Sequence, residues 1–113
     1  MLKVTFEKKE HKLTLKLEGH AGQADIGKDI VCSACSILAY TLAQYVNEAE
    51  RQGDLVSTPE VRLESGDAVI SCEPSDEVWQ IMLAFYSFAE VGYHLLAQNY
   101  PQYVELKSFG MAE

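Results

Sequence analysis

The sequence predicts an α+β fold in which two helices pack on one face of a largely antiparallel sheet, in the order β-β-α-β-β-α-β. Three observations lead there. Short stretches with apolar and polar residues in alternation occur in pairs, each pair joined by turn-forming residues. Two longer stretches carry apolar residues at spacings of three and four. Each strand pair is followed by one of these helical stretches, the pattern of a helix layer laid on a sheet.

Residues 2–7 alternate, with Leu2, Val4 and Phe6 on one side and Lys3, Thr5 and Glu7 on the other. Residues 12–18 do the same, Leu13, Leu15 and Leu17 facing away from Lys12, Thr14, Lys16 and Glu18, and the polar Lys8–His11 stretch joins the two as a hairpin. Gly19, Gly22 and Gly27 then interrupt the pattern and predict a loop over residues 19–29, longer than the usual connection of about 4–6 residues. A first helix is expected over 30–50, with Asp29 as its N-cap, Gly53 beyond its end, and Ala34, Leu38, Leu42, Tyr45 and Ala49 as its apolar stripe. Val61–Glu64 and Ala68–Cys72 read as a second hairpin turning at Ser65-Gly66-Asp67. Pro74 ends that strand, Ser75 is placed to cap the second helix, and Val78, Met82, Phe85, Ala89 and Leu96 form its stripe. Pro101 stops the helix, and Tyr103–Lys107 alternates as a last strand.

A chain of 113 residues, 48% of them hydrophobic, suits a single domain over residues 1–113. A domain of that size buries roughly two-thirds of the surface its unfolded chain exposes, so no disulfide staple is required. The net charge is −8, and the nine Lys and Arg residues are scattered rather than gathered on one face. That balance argues against nucleic acid as a partner and suits a basic polypeptide, although excess carboxylates also serve plain solubility. The charged start of the chain is unlike a signal-peptide core, and no apolar run approaches the roughly 20 residues of a membrane span. Three cysteines, an odd number, fit a disulfide framework poorly. Together these features predict a cytoplasmic protein with no membrane association.

The chemistry-bearing residues flank the glycine-rich loop: Gly19-His20-Ala21 before it and Asp29-Ile30-Val31-Cys32 after it. A thiol at a helix start sits near unpaired N–H groups and the positive end of the helix dipole, which favour the thiolate. The same N–H groups could donate to an oxyanion. An imidazole within reach would complete an activated nucleophile. Each residue also has a structural reading, since a helical cysteine commonly serves as a small buried hydrophobe and a histidine at a strand end as a solvated turn residue.

The stretch from Gly19-His20-Ala21 to Asp29-Ile30-Val31-Cys32-Ser33-Ala34-Cys35-Ser36 resembles the ribosomal-processing cysteine protease family, Prp. The resemblance implies a cytoplasmic homodimeric endopeptidase that removes a short N-terminal extension from a bacterial large-subunit ribosomal protein and so supports ribosome assembly. It also implies that Cys32 is the nucleophile and His20 the catalytic histidine, with no cofactor. Gly19, Asp29 and Ser36 match further motif positions. Asp29, Cys32 and Ser36 share one helix face by their spacing. Asp29 could cap the helix or orient His20; a carboxylate beside the thiol opposes its ionisation, which favours a purely positional role. Gly19 and Gly27 are expected to let the loop hinge over bound peptide.

Cys35 stands where the family pattern calls for a small residue such as Ala or Gly, and Cys32-Ser33-Ala34-Cys35 is formally a C-x-x-C. A dithiol oxidoreductase is therefore one alternative, but the aromatic and proline neighbours and the preceding parallel strand of such enzymes are missing. Buried packing of Cys35 is the preferred reading. Cys32, Cys35 and His20 fall one short of the four ligands of structural zinc, so no metal site is expected, and Cys72 and His94 read as packing residues. A non-catalytic module that holds a ribosomal protein is the other alternative.

Overall fold

The computed structural model describes residues 1–20 and 26–111, the side chains of residues 26–29 excepted. Five strands and two long helices alternate in the expected order: β1 (Leu2–Lys9), β2 (Lys12–Glu18), α1 (Ile26–Arg51), β3 (Glu60–Glu64), β4 (Asp67–Cys72), α2 (Trp79–Asn99) and β5 (Val104–Phe109). The sheet order is β3-β4-β2-β1-β5. β5 runs parallel to β1, and the other neighbouring pairs are antiparallel.

This topology explains why both helices lie on one face. The connections β2-α1-β3 and β4-α2-β5 each link parallel strands, so each needs a crossover. They leave in opposite directions across the sheet, from strands that themselves point in opposite directions. Two reversals cancel, and the usual right-handed crossover therefore puts both helices on the same side. The inward residues of the alternating strands, Leu2, Val4, Phe6, Leu13, Leu15 and Leu17, are buried beneath them together with Ala68, Ile70 and Cys72.

The helices differ in detail from the sequence reading. The buried stripe of α1 is Val31, Cys35, Ala39, Leu42, Val46 and Ala49, rotated by about one residue from the expected one. Leu42 and Ala49 belong to both, whereas Tyr45 is exposed and Leu38 packs only at the margin. On α2 the stripe runs through Met82, Tyr86, Ala89 and Tyr93, with Val78, Phe85 and Leu96 packed at its edges. Tyr86 and Tyr93 are both 0% exposed. A buried phenol must satisfy its hydroxyl. Tyr86 donates to the Ile70 carbonyl at 2.9 Å, and Tyr93 donates to the Cys35 carbonyl at 2.8 Å. Ser75 occupies the N-cap position of a short 3-10 turn, Asp76–Val78, that precedes α2, but its side chain makes no capping bond.

Two further readings need correction. His94 is exposed on α2 rather than packed. Ile30–Arg51 has a mean hydropathy of 1.3 and is long enough to cross a membrane, a stretch that Gln44, Asn47 and Glu48 disguise in the sequence. One side of it is instead buried against the sheet as a core helix.

Candidate active site

The decisive neighbourhood lies where β2 ends and the β3–β4 turn folds back beside it. Pairing of Leu17 with Ala68 and of Glu18 with Asp67 continues past the strand ends. The Gly19 N–H donates to the Gly66 carbonyl at 3.0 Å. Gly19 has φ +92°, and a Cβ there would sit 2.6 Å from the Met1 carbonyl oxygen. Both facts demand glycine and give this motif position a steric reason; the hinging expected of the loop falls on residues 21–25, outside the described residues. The next carbonyl, that of His20, accepts a hydrogen bond at 2.9 Å from the Met1 ammonium group.

α1 supplies the other wall. It is already helical at Ile26, at least four residues earlier than expected. Asp29 is therefore inside the helix and is not the N-cap, and Gly27 is helical rather than part of a loop; what their side chains contact lies outside the described residues. Cys32 lies beyond the first turn. Only the first four N–H groups of a helix lack an internal partner, so the Cys32 N–H is used within the helix and is not an oxyanion donor. The dipole effect also concentrates in the first turn. The helix-start argument thus loses most of its force, and the imidazole remains as the group that can activate the thiol.

His20, Cys32 and Ser36 line one cavity of about 310 Å³. Gly19, Leu17, Leu63 and Tyr40 contribute to its walls, and Glu64 and Asp67 give it two carboxylates. Asp67 is engaged by Arg62 at 3.2 Å through two guanidinium nitrogens. All three cysteines are free thiols; Cys32 is exposed, while Cys35 and Cys72 are buried. Burial, reinforced by the neighbouring Cys32, pushes the Cys35 thiol up to about 12. It therefore packs as a neutral small side chain, as expected, and is a poor partner for dithiol exchange. Burial likewise raises Cys72 to about 11. Among the described residues no group of three or more His, Cys, Asp or Glu side chains is placed to hold a metal ion.

Leu63, Glu64, Gly66 and Tyr40 are part of this cavity and were not singled out from the sequence. The turn was recognisable, although it consists of Ser65-Gly66, and Asp67, already in β4, pairs with Glu64; its position beside His20 depends on the β2–β4 register, which no local pattern announces.

The match that decides the family covers residues 1–105, against the cysteine protease Prp. The chain belongs to the cysteine protease Prp family. Among solved structures it is similar to SMU.848 from Streptococcus mutans, at 26% identity and a TM-score of 0.69, over 96% of this chain and 94% of that one. It is also similar to the essential ribosomal processing protease Prp from S. aureus in complex with a substrate peptide, at 17% identity and a TM-score of 0.67, over 96% and 99% of the two chains. The same S. aureus protease with a covalently linked product peptide matches at 18% identity and a TM-score of 0.66, again over 96% and 99%. No curated protein matches the chain. These likenesses agree with the mainly antiparallel sheet and paired helices of the Prp fold.

Proposed function

We propose that this Prp-family protease cuts peptide bonds with Cys32 as nucleophile and His20 as its proton partner, and that its substrate is an N-terminally extended large-subunit ribosomal protein. The observation that carries the proposal is that the one exposed thiol and His20, held on separate elements, open into the same cavity. In this scheme His20 accepts the thiol proton and Cys32 Sγ attacks the scissile carbonyl carbon. The C–N bond then breaks, the released amine takes the proton from His20, and the acyl group stays on sulfur as a thioester. Water, deprotonated by His20, hydrolyses the thioester and returns the thiol.

The substrate reading is supported by the S. aureus neighbour, a ribosomal processing protease seen with substrate and with covalently linked product. It is also supported by charge. Glu64 and Asp67 border the cavity of a chain with net charge −8, a field that draws in basic polypeptides at low salt. The chain is further proposed to work as a homodimer. Ile37 and Phe88 are 62% and 80% exposed, and Tyr45 stacks on Phe85 with ring centroids 4.2 Å apart. These four side chains border a second cavity of about 510 Å³ between the helices, an apolar surface of the kind that pairs with another.

The test follows the intact mass of the extended ribosomal protein from the same organism during incubation with this chain. Wild type should release one discrete N-terminal segment. Cys32→Ala should lower the rate at least about a thousandfold, as loss of a nucleophile does, without lowering thermal stability, because the side chain is exposed. Stable binding without cleavage by either form would favour the holding-module alternative.

A further inference from the structure

The backbone around His20 is tied on both sides, by Gly19 to the β3–β4 turn and by the His20 carbonyl to the Met1 ammonium group. Among the described residues no hydrogen bond holds the ring, so its rotation is what remains to be set. The ring rests on Gly66: a Cβ built on that glycine would lie 2.5 Å from His20 Nε2, 2.6 Å from Cε1 and 3.3 Å from Cδ2. No real side chain tolerates such distances, so anything larger than hydrogen at position 66 would push the imidazole away. Because His20 is exposed, the ring has solvent to swing into, and the penalty would fall on its direction more than on the fold.

We infer that Gly66 is a positioning residue: its bare α-carbon seats the His20 imidazole in the cavity shared with Cys32. The inference rests on the reading of His20 as the proton partner of Cys32. Gly66 also has φ +76°, which by itself favours glycine, so backbone preference and ring seating have to be separated. The molecule contains its own control. Gly53 has φ +75°, and a Cβ there would meet nothing within 4 Å, so Gly53→Ala reports the backbone cost alone. Gly66→Asn complements Gly66→Ala, since Asn tolerates the left-handed region yet still carries a Cβ.

The experiment measures cleavage of the extended ribosomal protein, thermal stability, and the His20 imidazole resonances by NMR for Gly66→Ala, Gly66→Asn, Gly53→Ala and His20→Ala. Displacement of a reacting group by about 1 Å costs up to roughly a hundredfold in rate. Both Gly66 variants should therefore lose about ten- to a hundredfold in kcat with a much smaller change in KM, and shift the His20 resonances. Gly53→Ala should keep wild-type kcat and resonances while showing a comparable fall in melting temperature. Wild-type kcat and unmoved resonances in folded Gly66→Asn would overturn the seat. Undiminished turnover by His20→Ala would instead remove histidine from the reaction, a failure of the dyad that the resonances distinguish from a failure of the seat.

Discussion

The buried hydroxyl of Tyr93 donates to the main-chain carbonyl of Cys35 at 2.8 Å, tying α2 to α1 one turn from Cys32. Burial of that phenol, helped by the nearby Cys35, raises its ionisation well above the usual tyrosine range, so it stays a donor at any working pH. In Tyr93→Phe the ring still fills its place against Phe6, whose centroid lies 5.8 Å away. The Cys35 carbonyl keeps its helical partner and is not orphaned. The expected loss is therefore that of one neutral hydrogen bond, about 0.5–1.5 kcal/mol, read as a fall of several degrees in melting temperature. If α1 relies on this bond to hold Cys32 in place, cleavage should slow as well; comparison of kcat with wild type measures that part separately.

The buried thiols set an alkaline limit on stability. Cys35 is raised from 9.0 to about 12 and Cys72 from 9.0 to about 11, in both cases chiefly by burial. Above pH 9 the unfolded chain releases these protons while the folded one retains them, so protonated thiol stabilises the fold fully below pH 9 and progressively less up to about 11–12. Urea midpoints should fall with pH across that window, and Cys35→Ala should make the fall shallower. Iodoacetamide at pH 8 should modify one thiol per native chain, Cys32, and all three after denaturation.

The strands were legible because their inner face is consistently aliphatic: Leu13, Leu15 and Leu17 have only one side on which to be buried. The early part of α1 was not, because Gly27 and Asp29 are the residues that ordinarily mark a loop and a cap, and here they sit inside the helix. Tyr86 and Tyr93 escaped notice as core residues for a similar reason. A phenol reads as surface until a carbonyl is found for its hydroxyl, and both carbonyls come from distant elements. In the site, Cys32 and His20 were visible through a short motif. The role of Gly66 was not, because it arises from strand pairing between residues far apart in the chain.

Gly19 should tolerate no replacement. Gly19→Ala combines a left-handed backbone with a Cβ 2.6 Å from the Met1 carbonyl oxygen, which is main chain and cannot rotate aside. Strain of this kind costs about 1–3 kcal/mol. The expected outcome is a clear drop in melting temperature together with loss of cleavage, since the same residue holds the end of β2 to Gly66. A stable and active Gly19→Ala would show that β2 can end differently without disturbing His20.

Assembly is testable at a single side chain. Phe88 is 80% exposed, so within one protomer it gains little from its position on α2. Its value would come from a second copy covering it with Ile37, Tyr45 and Phe85, where burial of an aromatic ring contributes about 1.5–3 kcal/mol. A two-fold interface would contain Phe88 twice, doubling the effect of any change there. Phe88→Glu would place a charge against each copy of this surface and should convert a dimer to monomer in sedimentation equilibrium at micromolar concentration. The monomer's melting temperature at high dilution should be unaffected by the change. Phe109→Glu is the matched control, an apolar ring 52% exposed on β5 and outside this surface, and it should leave the mass unchanged. A wild-type chain that sediments as a monomer at all concentrations would end the homodimer proposal, while a dimer that survives Phe88→Glu would move the interface away from the two helices.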